Sequence, residues 1–454
     1  MTMFDELKNL LDPHKLSDHP GTLESVAIDE STLPPVQPGV LVKAEKVEDI
    51  VTTIKFAYEK GIPVTVRGAG SALEGSAIPL KSGIVLDLSA MNHVLEFWPE
   101  DLQVRVEPGV IYDQLNDYLK RESLFFPPSP GGSSDIATIG GMVSTNASGI
   151  YSVKYGGTKD FILELEIVDG TGRLMRVGDR AVKRSSGYNL VELIAGSEGT
   201  LAVIVSVTLK LKGIPEGSSK TAYRFETEKQ AAKAVSEMMR YGLDLAAVEF
   251  LDHNVIKALN MLNDYGLEER PCLFLEVHGP QEVLDATNES AAMLCGDQGG
   301  EPLALKSGQN PWEIRHHVTN AIKLRKPGYS IMRNDVAFPI SKLPDMVEYC
   351  GQLATEYGLL VHAFGHVGMG LLHALILARR DDAEEWASAR ELNRRIVQKG
   401  VDFGGAISGE HGIGLGHKEM YQRENRDVLP LVRGLKSVFD PRAILNPGKI
   451  FDLS

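Results

Sequence analysis

The stretch Phe126–Gly149, FPPSPGGSSDIATIGGMVSTNASG, decides how the first half of the chain is read. Glycine removes Cβ and permits positive φ, so successive backbone N–H groups can converge on a phosphate. Two more glycine-rich stretches lie in the same half, RGAGSALEG at Arg67–Gly75 and GYNLVELIAGSEG at Gly187–Gly199. Taken singly, each is compatible with an ordinary turn. Three together point to a large phosphate-bearing cofactor. The Arg67–Gly75 stretch follows a strand-like run but enters no clear helix. No acidic residue stands about twenty positions on at a second strand end, so a nicotinamide Rossmann site is poorly supported.

Working outward, Val47, Ile50, Val51, Ile54 and Ala57 share one face of a predicted helix over 47–60. Strands are predicted at 62–66, 84–88, 94–97, 102–106, 162–168, 174–177 and 201–211, with a helix at 111–122. Pro215-Glu-Gly-Ser-Ser breaks this pattern and reads as a linker. Beyond it, helices at 228–241, 254–262 and 281–294 alternate with strands at 245–251 and 272–278. The expected organisation is α+β, with an N-terminal segment 1–35, a cofactor domain 36–214, a cap domain 215–405 and a C-terminal segment 406–454. Leu359–Ala378 contains no Asp, Glu, Lys or Arg and is long enough to span a bilayer. Its three histidines and three glycines, with Gly358 just before it, make a poor membrane helix, so strand–loop–strand is expected there.

The chain has 454 residues, with 47 basic against 61 acidic side chains and a net charge of −14. That balance excludes a nucleic-acid binder and disfavours an anionic-membrane binder, since both need a basic face. An anionic substrate would require local positive charge. Cys272, Cys295 and Cys350 are odd in number and lack cluster spacing, which argues against a disulfide framework or an iron–sulfur centre. MTMFDELKNLL carries acids and no apolar core, unlike a signal peptide; a cytoplasmic protein, peripheral to a membrane only through a partner, is expected.

PVTVRGAGSALEGSAIP (63–79) and Phe126–Gly149 resemble the two flavin loops of the FAD-linked oxidases of the vanillyl-alcohol oxidase and p-cresol methylhydroxylase type. KYGGTKDFILELEIV, SGYNLVELIAGSEGTLAVIVSVTLKL, VAFPISKLPD, GHVGMGLLH, SGEHGIG and ILNPGKIF extend the resemblance from about residue 35 to 451. The subgroup it points to is the D-2-hydroxyacid dehydrogenases. The resemblance implies the two-part FAD-binding fold of that type, an α+β cap, and a C-terminal segment returning to the flavin. It implies that Arg67, Gly68, Ala69, Gly70, Ser71, Gly75 and Ser76 form the first cofactor loop. Pro128, Thr138, Gly140, Gly141, Ser144 and Asn146 would form the second. Glu198, Gly199, Ile204 and Asn446 would line the remaining cofactor surface. No His, Cys or Tyr anchor stands in the first loop, so FAD is expected to be non-covalent.

His366 and His373 stand seven apart with glycines between them, which is not the helical i,i+4 zinc pair. Two imidazoles with Glu410 would suit zinc or manganese. The resemblance implies that His366, His373 and Glu410 bind a divalent metal and that His411 is the general base. It places Arg315, Thr319 and Arg333 at substrate positions, Lys342 more weakly, and gives Asp335 an orienting role. Met369 and Leu371 stand where the family usually has Asp and Asn, and Leu375 is apolar where dicarboxylate-oxidising relatives have a polar residue. The expected reaction is oxidation of a D-2-hydroxy acid, D-lactate first, with electrons passed to an electron-transferring flavoprotein, quinone or cytochrome. Glycolate and D-2-hydroxyglutarate oxidation are alternatives. So are an alkyl-glycerone-phosphate synthase-like flavoenzyme and a metal-free structural or electron-relay subunit. A homo-oligomer or complex subunit is expected.

Overall fold

The computed structural model describes residues 2–80, 83–306 and 309–453. The chain divides into two compact units. The first comprises Met1–Ser148, Gly157–Ile214 and Glu410–Ser454; the second comprises Gly149–Gly156 and Pro215–Gly409. The octapeptide 149–156 thus groups with the second unit, and the return to the first begins at Glu410.

In the first unit, strand Ile84–Asp87 lies between Val40–Lys43 and Val64–Arg67, parallel to both. Helix Val47–Lys60 supplies the crossover that carries the chain from Val40–Lys43 past Ile84–Asp87 to Val64–Arg67, as parallel strands require. It ends at Gly61, whose φ of 67° is the left-handed conformation a helix C-terminus favours. A second sheet is antiparallel, in the order Val94–Trp98, Gln103–Val106, Ala202–Lys210, Ile162–Asp169, Leu174–Gly178. Its central strand Ala202–Lys210 buries eight of nine residues, which explains a near-continuous apolar run. Helix Ile139–Thr145 lies inside the second glycine stretch, where no helix was expected; Thr138 caps it by accepting from the Gly141 N–H at 3.3 Å.

The C-terminal segment closes the edge of the parallel sheet. Val64 donates to the Ile444 carbonyl and Asn446 donates to the Val64 carbonyl, both at 2.7 Å. A buried lysine secures this seam: Lys436 Nζ donates to Asp440 at 2.5 Å, to the Thr200 carbonyl at 2.6 Å and to the Leu445 carbonyl at 2.7 Å.

The second unit carries an antiparallel sheet, with the path Glu301–Pro302, Ser218–Arg224, Cys272–His278, Leu245–Leu251, Leu360–Gly365, Leu371–Ala378, Ser330–Met332. Asp335–Ala337 also pairs with Leu371–Ala378. Leu359–Ala378 is therefore two strands joined by a single 3-10 turn at Val367–Met369. Among the described residues no helix is long and apolar enough to cross a membrane. Helices Leu343–Tyr357 and Ala383–Asp402 pack on the sheet and share one apolar core with it.

Candidate active site

A cleft opens within the first unit. The three glycine stretches converge on it. Arg67, Gly68, Ala69, Gly70, Ser71 and Ser76 line it from the first. Thr138, Gly140, Gly141 and Ser144 line it from the second, and Glu198, Gly199, Ile204 and Asn446 complete it. Gly75, Pro128 and Asn146 lie outside the lining. Asn146 instead ends helix Ile139–Thr145 at φ 52° and accepts from the Lys159 N–H at 2.9 Å. The Gly75 carbonyl accepts from Lys449 Nζ at 2.6 Å.

Close backbone approach is built into the cradle. A Cβ on Gly68 would stand 2.4 Å from Thr138 Oγ1, and one on Gly140 would stand 2.6 Å from Pro108 Cβ. Side chains at these positions would collide before any ligand arrived.

Asn446 ties the cleft together, since its Nδ2 donates to the carbonyls of Ser76 at 3.0 Å and Glu198 at 2.6 Å. Glu198 is itself buried. Its carboxylate accepts from the N–H groups of Ile413 at 2.7 Å and Gly414 at 2.8 Å. Burial pushes its carboxyl up to about 7, against the pull of those two donors and of Lys449. Glu198 therefore holds the loop that follows His411. His411 and Glu410 line the same cleft, with His411 Nε2 3.8 Å from Glu410 Oε1. Ser148, which carried no sequence signal, donates to Glu410 Oε2 at 3.0 Å.

In the second unit the rings of His366 and His373 face one another edge to face, with centroids 5.5 Å apart. Both side chains are buried. His366 Nδ1 contacts Glu249 Oε1. His373 stands opposite Asp335 in the strand register, with Nδ1 3.9 Å from Asp335 Oδ1. Asp335 Oδ2 accepts from Ser408 Oγ at 2.8 Å and from the Gly409 N–H at 2.9 Å, consistent with an orienting role.

Arg315 donates through Nε to Glu249 Oε2 at 2.6 Å, and its guanidinium lies 4.7 Å from the Phe364 ring centre. Thr319 does not share one helix with it. The chain forms Pro311–His316 and then Val318–Arg325, because His317 N–H bonds three residues back to Ile314 and tightens the turn. Arg333 is half-buried between strands Ser330–Met332 and Asp335–Ala337. Lys342 lies over Phe403, with Nζ 5.5 Å from the ring centre. Leu371 and Leu375 are buried in the strand that carries His373, whereas Met369 is exposed.

Sequence comparison decides the family. The family described as FAD linked oxidases, C-terminal domain, matches residues 214–450, and the FAD binding domain family matches residues 38–178. The chain belongs to the FAD-linked oxidases.

This FAD-linked oxidoreductase is 33% identical over 421 residues to D-lactate dehydrogenase [cytochrome], mitochondrial, of Arabidopsis thaliana, covering 91% of this chain and 73% of that protein. It is 30% identical over 423 residues to glycolate oxidase subunit GlcD of Bacillus subtilis, covering 91% and 89%. Its fold matches the crystal structure of p-cresol methylhydroxylase with a TM-score of 0.81 at 19% identity, over 99% of this chain and 96% of the other. At that identity the likeness shows the fold alone. The α+β architecture and the p-cresol methylhydroxylase-type fold expected from sequence are both observed.

The cleft fits FAD. Its glycine lining and the side-chain-free approach at Gly68 and Gly140 suit a pyrophosphate held by backbone N–H groups. The buried pair His366 and His373 suits a divalent metal, because Glu249 engages Nδ1 of His366 and leaves Nε2 for a metal.

Proposed function

We propose that this oxidoreductase oxidises a short D-2-hydroxy acid, D-lactate first, to the 2-oxo acid. The observation that carries this reading is the pairing of buried His366 with a carboxylate that also holds Arg315. One carboxylate thereby serves a metal-type histidine and a carboxylate-type clamp. The names of the Arabidopsis and Bacillus relatives point the same way.

The three glycine stretches would hold FAD non-covalently, and it would supply the hydride acceptor. His366, His373 and Glu410 would hold a divalent metal, zinc or manganese, which would supply Lewis-acid polarisation of the substrate hydroxyl. Glu410 is the next residue along the chain from Gly409, whose N–H Asp335 holds. The remaining work falls to side chains. Arg315 pairs with the substrate carboxylate through its Nη edge, with Arg333 and Thr319 beside it in role. His411 accepts the hydroxyl proton at Nε2 or Nδ1 as the Cα hydride departs. Buried Leu371 and Leu375 offer no hydrogen bond of their own to a second substrate carboxylate, which favours D-lactate over D-2-hydroxyglutarate. Electrons leave to a non-nicotinamide acceptor; the cytochrome in the Arabidopsis relative's name supports that class. A cytoplasmic location is part of this reading and rests on sequence alone.

The deciding experiment is anaerobic mixing of the FAD-loaded protein with D-lactate, L-lactate, glycolate, malate and D-2-hydroxyglutarate. Bleaching of the flavin by D-lactate before the others is expected. A flavin that stays oxidised with every 2-hydroxy acid, at saturating zinc or manganese, overturns the reading.

A further inference from the structure

Glu249 lies in strand Leu245–Leu251, whose seven residues are all buried. A lone carboxylate is costly in such a strand unless it is fully paired. Its two oxygens are divided between two cations or donors from different elements. Oε1 meets Nδ1 of His366, just after strand Leu360–Gly365, and Oε2 accepts from Nε of Arg315 on helix Pro311–His316 at 2.6 Å. Neutralising one buried carboxylate needs only one such partner. Two partners, each held by the edge of its side chain away from its open end, do more than neutralise. An ionised carboxylate can only accept, so His366 carries a proton on Nδ1 and, as the neutral imidazole, presents Nε2 as a lone pair. Arg315 spends Nε on Glu249 and so keeps the Nη edge of its fork for another anion. Phe364 lies under the guanidinium at 4.7 Å and against His373 with ring centroids 5.4 Å apart, which fixes the Arg315 plane against the same pair of histidines.

We propose that Glu249 is a positioning residue that couples metal ligand His366 to substrate clamp Arg315, so that one carboxylate sets metal affinity and substrate-carboxylate affinity together. This rests on the metal and substrate reading above. It predicts that a change at Glu249 moves two observables that are otherwise separate.

The test uses FAD-loaded enzyme and zinc titrated against a chromophoric chelator, beside the KM for D-lactate at saturating zinc. Glu249→Gln keeps the shape, but its single acceptor oxygen can satisfy only one of the two donors. Zinc affinity should fall about 10–100-fold, the usual effect of removing such a partner, and KM should rise by a similar factor. Glu249→Asp, which keeps the charge, should recover part of both. Arg315→Met should also shift zinc affinity several-fold, although Arg315 is no metal ligand. That variant carries the test if Glu249→Gln does not accumulate as folded flavoprotein. Zinc affinity unchanged in Glu249→Gln or, failing that, in Arg315→Met, beside a wild type that binds zinc stoichiometrically, overturns the coupling alone. A wild type that binds neither zinc nor manganese overturns the metal reading and the coupling with it.

Discussion

The carboxylate of Glu198 accepts a hydrogen bond from the backbone N–H of Ile413 at 2.7 Å, two residues beyond His411. A second bond, from Gly414 at 2.8 Å, doubles the tether. Glycine is required at 412, between His411 and Ile413, because a Cβ there would stand 2.9 Å from Glu198 Oε1. Glu198→Ala would leave both N–H groups without an acceptor, at about 1–3 kcal/mol each. The expected result is a lower thermal midpoint and a kcat that falls more than KM rises, read by calorimetry and steady-state kinetics.

The same carboxylate gives a pH signature. Burial raises it to about 7 in the folded protein, above the usual carboxyl range in the unfolded chain. The folded state therefore binds the proton more tightly. Its contribution to stability is complete below the unfolded value and is lost as pH rises through about 7. In protein stripped of flavin, Glu198→Gln should remove a downward slope approaching about 1.4 kcal/mol per pH unit between these limits. Denaturant midpoints across that window, wild type against variant, measure it; parallel profiles would contradict the assignment.

Gly68→Ala should empty the cleft of cofactor. The added methyl meets Thr138 Oγ1 at 2.4 Å, and relief requires moving the residue that caps helix Ile139–Thr145. FAD per chain after gel filtration should fall well below wild type while the far-ultraviolet spectrum is retained. Gly132→Ala serves as the control only for space, since nothing lies within 4 Å of its Cβ but its φ is 76°.

His411→Ala should retain FAD and lower kcat by about 10²–10⁴, the usual range for a lost general base. Wild-type turnover in the variant, measured anaerobically by the rate of flavin bleaching, would remove the residue from proton transfer.

Asn446 combines a φ of 44° with two side-chain bonds. Asn446→Gly keeps the left-handed backbone at ease but loses both bonds, whereas Asn446→Ala loses the bonds and adds strain. Asn446→Ala should therefore unfold at a lower denaturant midpoint than Asn446→Gly, with the gap worth about 1 kcal/mol.

Periodicity located the regular elements that stand alone. The expected strands 245–251 and 272–278 and the helix 47–60 are observed with the same ends, because apolar pattern and turn residues agree there. Helix Ile139–Thr145 was illegible: two of its seven residues are glycine, which is unfavourable in a helix, and packing against Pro108 overrides that preference. The convergence of three glycine stretches on one cleft was readable from their composition. Glu249 was not singled out, although an acid inside the run LAAVEFL is a visible anomaly. Its meaning needs Arg315 and His366, which no spacing along the chain connects to it.

The strand edge at Val64 is completed by Leu445, almost the whole length of the chain away. During synthesis the first unit must therefore wait for its last piece. At about 5–20 residues per second, tens of seconds separate the emergence of the two partners. Residues 215–409 can meanwhile collapse as a nearly contiguous body. The glycine cradle, without Asn446 to join Ser76 to Glu198, stays unfinished until Asn446 leaves the ribosome. Flavin loading then follows the emergence of Asn446, and a ribosome-stalled chain that stops short of that residue should be colourless.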